Sequence, residues 1–201
     1  MKELSILAQK HDTDKGVIGV KWGNTYHGYT EIYDGYLQRL RQEKFVLLEI
    51  GVGGYDGLTG GGESLHMWAE YFPNAAIHGI DIYPKKLSGR FTTHQGDQSD
   101  SAFLTRLVSQ IGTPTVIIDD GSHVDSHMMV SFTTLFPLLK SNGGIYIVED
   151  IYRAHPFLDG GTDDKIFDYL LGLAHFSMSL NGGEGTPMAM HFHRGFVIIE
   201  K

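Results

Sequence analysis

The chain has 201 residues, 41% of them hydrophobic, with no cysteine and 24 acidic against 16 basic side chains, a formal charge of -8 at pH 7. That length favours one domain with its own core, and the acidic excess argues against nucleic-acid and anionic-membrane partners, which would reward Lys and Arg. The lack of cysteine removes disulfides, thiolate metal sites and thiol nucleophiles together. No basic start leads into a long apolar segment, and no run approaches the roughly 20 apolar residues of a membrane span. A cytoplasmic enzyme working on a small molecule is therefore expected, with self-association into a homo-oligomer left open.

Along the chain, apolar runs bounded by turn residues alternate with segments of helical period, the pattern of β-α repeats around a mostly parallel sheet. Leu4 to Gln9 and Glu31 to Gln42 predict helices, the second with Ile32, Tyr36, Leu37 and Leu40 on one side. Phe45 to Val52 predicts the first strand, Ser64 to Phe72 a helix, and Ala76 to Ile82 with Arg90 to Gln95 two strands. Ser99 to Ile111 predicts a helix, Thr115 to Asp120 a strand, and Asp125 to Leu139 a helix whose first turn carries an acid that suits its dipole. Ile145 to Asp150 predicts a strand, Asp163 to Leu180 a helix, and Met188 to His193 with Phe196 to Glu200 a closing hairpin across Arg194-Gly195. Gly51 to Gly62 and Asn181 to Gly185 read as loops. Residues 1–201 are expected to form a single domain, with 1–44 as an N-terminal helical segment packed on a core of 45–201.

Two β-branched runs stop at carboxylates: Val116-Ile117-Ile118 at Asp119-Asp120, and Ile145-Tyr146-Ile147-Val148 at Glu149-Asp150. Buried parallel strands read as continuous apolar runs, and in an open α/β sheet the ligand lies beyond their carboxyl ends. Asp120, Glu149 and Asp150 would then share a rim, where crowded acids repel unless a cation or proton relieves them; an all-oxygen set suits a hard ion such as Mg²⁺. His123, three residues after Asp120, is placed to act as a base. The same acids could serve only a turn before a helix, with Ser122 or Asp125 as cap. His127, one helical turn beyond His123, reads as a metal ligand, a second base or a structural histidine. His191 and His193 share a strand face without a nearby third ligand and read as packing or surface residues.

A second signal is Glu49-Ile50-Gly51-Val52-Gly53-Gly54, where glycines at the end of a buried strand let the backbone approach a ligand. A dinucleotide fingerprint would run directly into a helix. Here Tyr55 to Gly62 intervenes, which fits a ligand without phosphates better. Asp81 ends the next strand, where a carboxylate can accept both hydroxyls of a ribose.

Taken with Gln95-Gly96-Asp97-Gln98 and Ile118-Asp119-Asp120-Gly121-Ser122-His123, these motifs resemble the class I S-adenosylmethionine-dependent methyltransferases. More narrowly, the chain resembles the catalytic domain of the Mg²⁺-dependent sugar O-methyltransferases of antibiotic biosynthesis, of the mycinamicin 2''-O-methyltransferase kind. The likeness runs from His11-Asp12-Thr13-Asp14-Lys15 and Tyr29-Thr30-Glu31-Ile32-Tyr33 to Val197-Ile198-Ile199-Glu200-Lys201. It implies a doubly wound α/β fold: a mostly parallel seven-stranded sheet, helices on both faces and a C-terminal antiparallel hairpin. It also implies S-adenosylmethionine and Mg²⁺ as cofactors.

By that resemblance Gly51 and Gly53 pass under the methionine part of the cofactor, Asp81 holds the ribose, and Asp97 with Gln98 faces the adenine. Glu49 and Asp119 belong to the same motifs, and Thr13 and Ser64 are candidates for the carboxylate and amine. Asp120, Glu149 and Asp150 match the metal ligands and His123 the base, the four residues that the strand ends singled out. Trp22, Tyr26, Tyr29 and His127 are candidate substrate contacts, although Tyr29 and Tyr33 at helical spacing also suit a core. The expected reaction is methylation of one hydroxyl of a vicinal diol, on a deoxysugar of a glycosylated natural product. A catechol or other phenol offers a metal the same chelating pair. A nucleotide-binding oxidoreductase or a non-catalytic cofactor-binding protein could share such a sheet.

Overall fold

The computed structural model describes residues 2–16, 27–151, 165–178 and 185–201. In chain order they form α1 (Glu3–Lys10), α2 (Thr30–Leu37), β1 (Val46–Ile50), α3 (Glu63–Tyr71), β2 (Ala76–Asp81), β3 (Thr92–Gln95) and α4 (Ser101–Ile111). There follow β4 (Pro114–Asp119), α5 (Asp125–Leu135), β5 (Ile145–Ile151), α6 (Lys165–Ser177), β6 (Ala189–His193) and β7 (Gly195–Glu200). The strands make one seven-stranded mixed sheet in the order β3-β2-β1-β4-β5-β7-β6, with helices around it. β1, β4 and β5 run parallel, as do β2 and β3, whereas β7 pairs antiparallel with both β5 and β6, the expected closing hairpin. No helix of the described residues is long and apolar enough to cross a membrane.

The chain divides into two compact units, one of Met1–Phe45 with Val52–Gln95, the other of Val46–Gly51 with Gly96–Lys201. In the first, α1 packs on α2 and α3, joined by a buried contact of Ser5 Oγ with Thr30 Oγ1 at 3.0 Å. The Tyr71 hydroxyl donates to Asp34 Oδ1 at 2.9 Å, tying α3 to α2. Helix α2 stops at Leu37 and tightens into a 3₁₀ turn over Gln38–Leu40, short of the expected Gln42, a common way for a helix to end. The expected strand from Arg90 starts only at Thr92, because the Arg90 guanidinium is drawn to the end of α3. There it donates to the carbonyls of Phe72 at 2.5 Å, Ala75 at 2.6 Å and Ala69, groups that a helix C-terminus leaves without partners.

In the second unit every residue of β4 is buried, as a strand covered on both faces requires. Two helix boundaries differ from the sequence expectation, each for a local reason. Helix α4 begins at Ser101 because Asp100 caps it, its Oδ1 accepting the Phe103 N–H at 3.0 Å. Helix α5 ends at Leu135 rather than Leu139, since Pro137 lacks an N–H and its ring crowds the carbonyl four residues back. The carbonyls exposed by that ending are collected by Lys201, whose Nζ donates to Phe136 at 3.0 Å, Pro137 at 2.8 Å and Leu139 at 3.1 Å. The expected helix from Asp163 to Leu180 is seen as α6; residues 163, 164, 179 and 180 lie outside the described residues.

Between β2 and β3 sits a histidine pair, His78 Nδ1 and His94 Nε2 lying 3.0 Å apart. Burial holds both pKa values below the ordinary histidine value, and for His78 the neighbouring His94 adds to the effect. Above a pH of about 6.5 the pair is neutral in folded and unfolded chains alike. As pH falls below that, the unfolded chain takes up protons first and the fold loses stability. We expect the difference in Tm between the wild type and a His78→Gln, His94→Gln double variant to shift in the variant's favour from pH 7.5 to pH 5.5. A constant difference across that range would mean that the pair titrates as free histidines do.

Candidate active site

Strand β4 ends at Asp119, and the Asp120 N–H still donates to the Ile50 carbonyl at 2.9 Å, carrying the pairing with β1 one residue further. At that point Gly51 has φ +92° and lies so close that a Cβ there would overlap the Asp120 carbonyl. Only glycine fits, because the position combines a left-handed backbone with no room for a side chain. The chain then turns through Gly121 and Ser122 to His123.

This turn brings Asp120, His123 and Asp150 together, one ligand atom of each lying within 4.8 Å of the others. His123 Nε2 is 3.9 Å from Asp120 Oδ1 and 3.8 Å from Asp150 Oδ2. Both His123 and Asp150 hold a left-handed backbone, with φ of 55° and 56°. Such residues are uncommon and cluster at functional sites. At Asp150 the cause is an irregularity in the pairing of β5 with β7 between Val148 and Ile151. Glu149 is buried on β5 beside Asp150, and the group of three among the described residues is completed by His123. Two carboxylates and an imidazole at these distances suit a divalent cation: the carboxylates provide hard oxygen donors, and a cation relieves their repulsion.

Behind this group Asp119 is turned into the interior. Gln98 Nε2 donates to its Oδ1 at 3.1 Å, while the Ser131 hydroxyl and, at 3.3 Å, the Tyr146 hydroxyl donate to Oδ2. Burial pushes the Asp119 carboxyl up to about 6 against the pull of those donors. Asp97 lies nearer the surface, where the Ser99 hydroxyl and backbone N–H, each at 2.7 Å, hold its carboxyl below the usual range. His127 Nδ1 lies 3.0 Å from Ser122 Oγ, on the outer side of the same loop.

In the other unit Asp81, at the end of β2, is fixed by two backbone groups: the Val52 N–H bonds Oδ2 at 3.2 Å and the Tyr83 N–H bonds Oδ1 at 2.9 Å. Lys85 is a residue that the sequence did not single out. Its side chain is only 1% exposed, with Nζ 4.0 Å from Asp81 Oδ2, and it donates to the carbonyls of Gly53 at 2.6 Å, Tyr55 at 2.5 Å and Gly57 at 3.3 Å. One cation thus gathers the glycine loop around the strand end. Its one sequence signal is a position four residues beyond Asp81. Ser64 lies in the first turn of α3, partly exposed; Thr13 is buried just after α1, and Glu49 is buried on β1. Tyr29 is in the core, its ring 5.9 Å from that of Tyr33. Trp22 and Tyr26 lie outside the described residues.

This strand order, with its closing hairpin, is the class I methyltransferase fold. The methyltransferase MycE of the mycinamycin biosynthetic pathway, solved with Mg, SAH and mycinamycin VI, superposes with a TM-score of 0.85 at 32% identity, over 100% of this chain and 53% of the other. In sequence the chain resembles sugar O-methyltransferases of antibiotic pathways. It is 41% identical to an 8-demethyl-8-(2-methoxy-alpha-L-rhamnosyl)-tetracenomycin-C 3'-O-methyltransferase of Streptomyces olivaceus, over 99% of this chain and 54% of the relative. It is 36% identical to an 8-demethyl-8-alpha-L-rhamnosyl tetracenomycin-C 2'-O-methyltransferase of the same organism, over 98% and 54%. The chain thus spans about half the length of these curated relatives. No family model matches it.

The left-handed backbone at His123 can be tested by thermal unfolding. Glycine occupies that region without the Cβ penalty of about 1 kcal/mol that alanine meets. His123→Gly should therefore melt about 2–4 °C above His123→Ala, the shift that about 1 kcal/mol produces in a protein of this size. Equal melting of the two variants would contradict the backbone conformation described.

Proposed function

We propose that the chain is an S-adenosylmethionine-dependent, Mg²⁺-assisted O-methyltransferase acting on one hydroxyl of a vicinal diol, in a deoxysugar carried by a natural product. The observation that carries this reading is the convergence of Asp120, His123 and Asp150 at the ends of β4 and β5. The likeness to enzymes named for 2'- and 3'-O-methylation of rhamnosyl groups supports the acceptor class.

Asp120 and Asp150, with Glu149, would hold the Mg²⁺. When bound, such an ion lowers the pKa of a ligated hydroxyl and fixes a chelating pair in one orientation. S-adenosylmethionine supplies the electrophilic methyl group. His123 takes the proton of the attacking hydroxyl at Nε2, the nitrogen facing both carboxylates, and the imidazolium formed is stabilised by those negative charges. Asp81 receives the ribose hydroxyls; each of its oxygens already accepts one backbone N–H and keeps a further lone pair.

The bare backbone at Gly51 and Gly53 would give the methionine part close approach, and Asp97 would face the adenine, with Gln98 beside it committed through its amide to Ser122 and Asp119. Thr13 and Ser64 serve the carboxylate and amine, while Glu49 and Asp119 act from the buried side. Trp22, Tyr26 and His127 are the candidate acceptor contacts of this reading, Tyr29 being taken up by the core. The partner is a small molecule.

Calorimetric titration in the presence of Mg²⁺ should show binding of S-adenosylhomocysteine and none of NAD. Asp81→Ala should weaken that binding about 10–100-fold, the worth of hydrogen bonds to a charged group. With a rhamnosylated acceptor, chelator should abolish turnover, and His123→Ala should lower kcat by about 10²–10⁴-fold with cofactor binding intact. A chain that ignores S-adenosylhomocysteine would overturn the reading, and an undiminished kcat in His123→Ala would remove the base assignment alone.

A further inference from the structure

We propose that Gln98 and Asp119 form a polarity-fixed latch that positions the loop carrying Asp120 and His123, an inference that rests on reading those two residues as metal ligand and base. Gln98 is 6% exposed and bridges two groups of opposite need. Its Oε1 accepts the backbone N–H of Ser122 at 2.7 Å, and its Nε2 donates to Asp119 Oδ1 at 3.1 Å. A backbone N–H can only donate and a carboxylate can only accept, so the amide fits in one orientation and cannot flip. The other Asp119 oxygen is held by the hydroxyls of Ser131 on α5 and Tyr146 on β5. The latch is thereby anchored to two elements of the same unit.

The loop is built to admit this contact. A Cβ at Gly121 would overlap Gln98 Oε1 and lie 3.0 Å from the Ile50 side chain, so the glycine lets the amide reach Ser122 beneath it. Ser122 lies two residues after Asp120 and one before His123, whose left-handed backbone persists only where its surroundings over-determine it. Ser122 Oγ also contacts His127 Nδ1 at 3.0 Å and accepts the Val124 N–H at 3.3 Å, both exposed to water and correspondingly weak. A partly buried hydrogen bond one residue from the base, backed by the buried bond of Gln98 to Asp119, is therefore the firmer hold on both functional groups.

The test rebuilds the latch with reversed polarity. Gln98→Met removes both bonds at similar side-chain length. In a Gln98→Glu, Asp119→Asn double variant the amide moves to position 119: its NH₂ donates to the new carboxylate, which also accepts the Ser122 N–H, and the net charge is unchanged. Affinity for Mn²⁺ alone, followed by electron paramagnetic resonance, should fall about 10–100-fold in Gln98→Met, as for other residues that orient metal ligands. It should return to within a few-fold of wild type in the double variant. Hydrogen exchange at the Ser122 amide should follow the same order, fast in Gln98→Met and slow in the other two.

Gly121→Ala displaces the amide without touching the buried acid, so it should repeat the affinity loss even if the double variant fails to fold. Unchanged Mn²⁺ affinity in Gln98→Met and Gly121→Ala, with the wild type binding normally, would overturn the latch. A folded double variant no better than Gln98→Met would do so as well. A wild type that binds no Mn²⁺ would instead overturn the reading of Asp120 and His123, and the positioning role with it.

Discussion

The close approach of two backbones where β1 and β4 end is the constraint on which this site is built. Gly51 leaves β1 in a conformation and at a distance that exclude any side chain, and the Asp120 carbonyl lies against it. Parallel pairing thus continues to the last residue of each strand, after which the chains must part. The strand order reverses between β1 and β4, and in open α/β sheets ligands bind beyond the carboxyl ends at such a point. Whatever follows β4 leaves the strand end in a fixed direction. Asp120 is therefore presented at the rim, while its neighbour Asp119 is turned inward, since successive residues of a strand face opposite sides.

Burying Asp119 is costly, and the structure answers with donors rather than with a counter-ion: an amide and two hydroxyls share its two oxygens. These do not remove the cost, as its raised pKa records. A similar economy governs the exposed ends of elements. Lys85, Arg90 and Lys201 each gather three backbone carbonyls, at the glycine loop, the end of α3 and the turn after α5. A buried carbonyl without a partner costs about 1–3 kcal/mol, so one flexible cation at each ending replaces several local caps. In this acidic chain a minority of basic side chains is thus used for the backbone as much as for solubility.

The strands were legible in the sequence because burial on both faces leaves an unbroken apolar run, and the run that stops at Asp119 marks its own end, although β5 continues past Glu149 to Ile151. Tyr29 and Tyr33 were legible as core from their helical spacing. Helix limits were less so: Asp100 outcompeted Ser99 as the start of α4, and Pro137 truncated α5 inside an apolar stretch that otherwise reads as helix. The three chelating cations left no pattern, because their partners are carbonyls, which every residue carries. Spacing put Asp120, Glu149 and Asp150 on one rim with His123 beside them, but it could not foretell that Asp150, rather than its neighbour Glu149, would join His123 and Asp120. That depends on an irregular pairing and a left-handed backbone, both consequences of tertiary contacts.

The strain at those two positions bears on what they are for. A left-handed backbone at a residue other than glycine costs about 1 kcal/mol or more, and glycine, already frequent in this chain, would remove the cost at His123 and Asp150 alike. Glycine is used where the backbone alone must pass, as at Gly51. It is absent where the backbone takes the same kind of turn but a side chain must point into the shared space. Asp12, Tyr55 and Asn142 share that backbone elsewhere in the chain, so strain alone marks no site; at His123 and Asp150 it coincides with a convergence of ligand atoms. Glycine there would relieve the backbone and delete the carboxylate or the imidazole, so it is the meeting of strain with converging ligand atoms, rather than either alone, that sets His123 and Asp150 apart from the other left-handed residues.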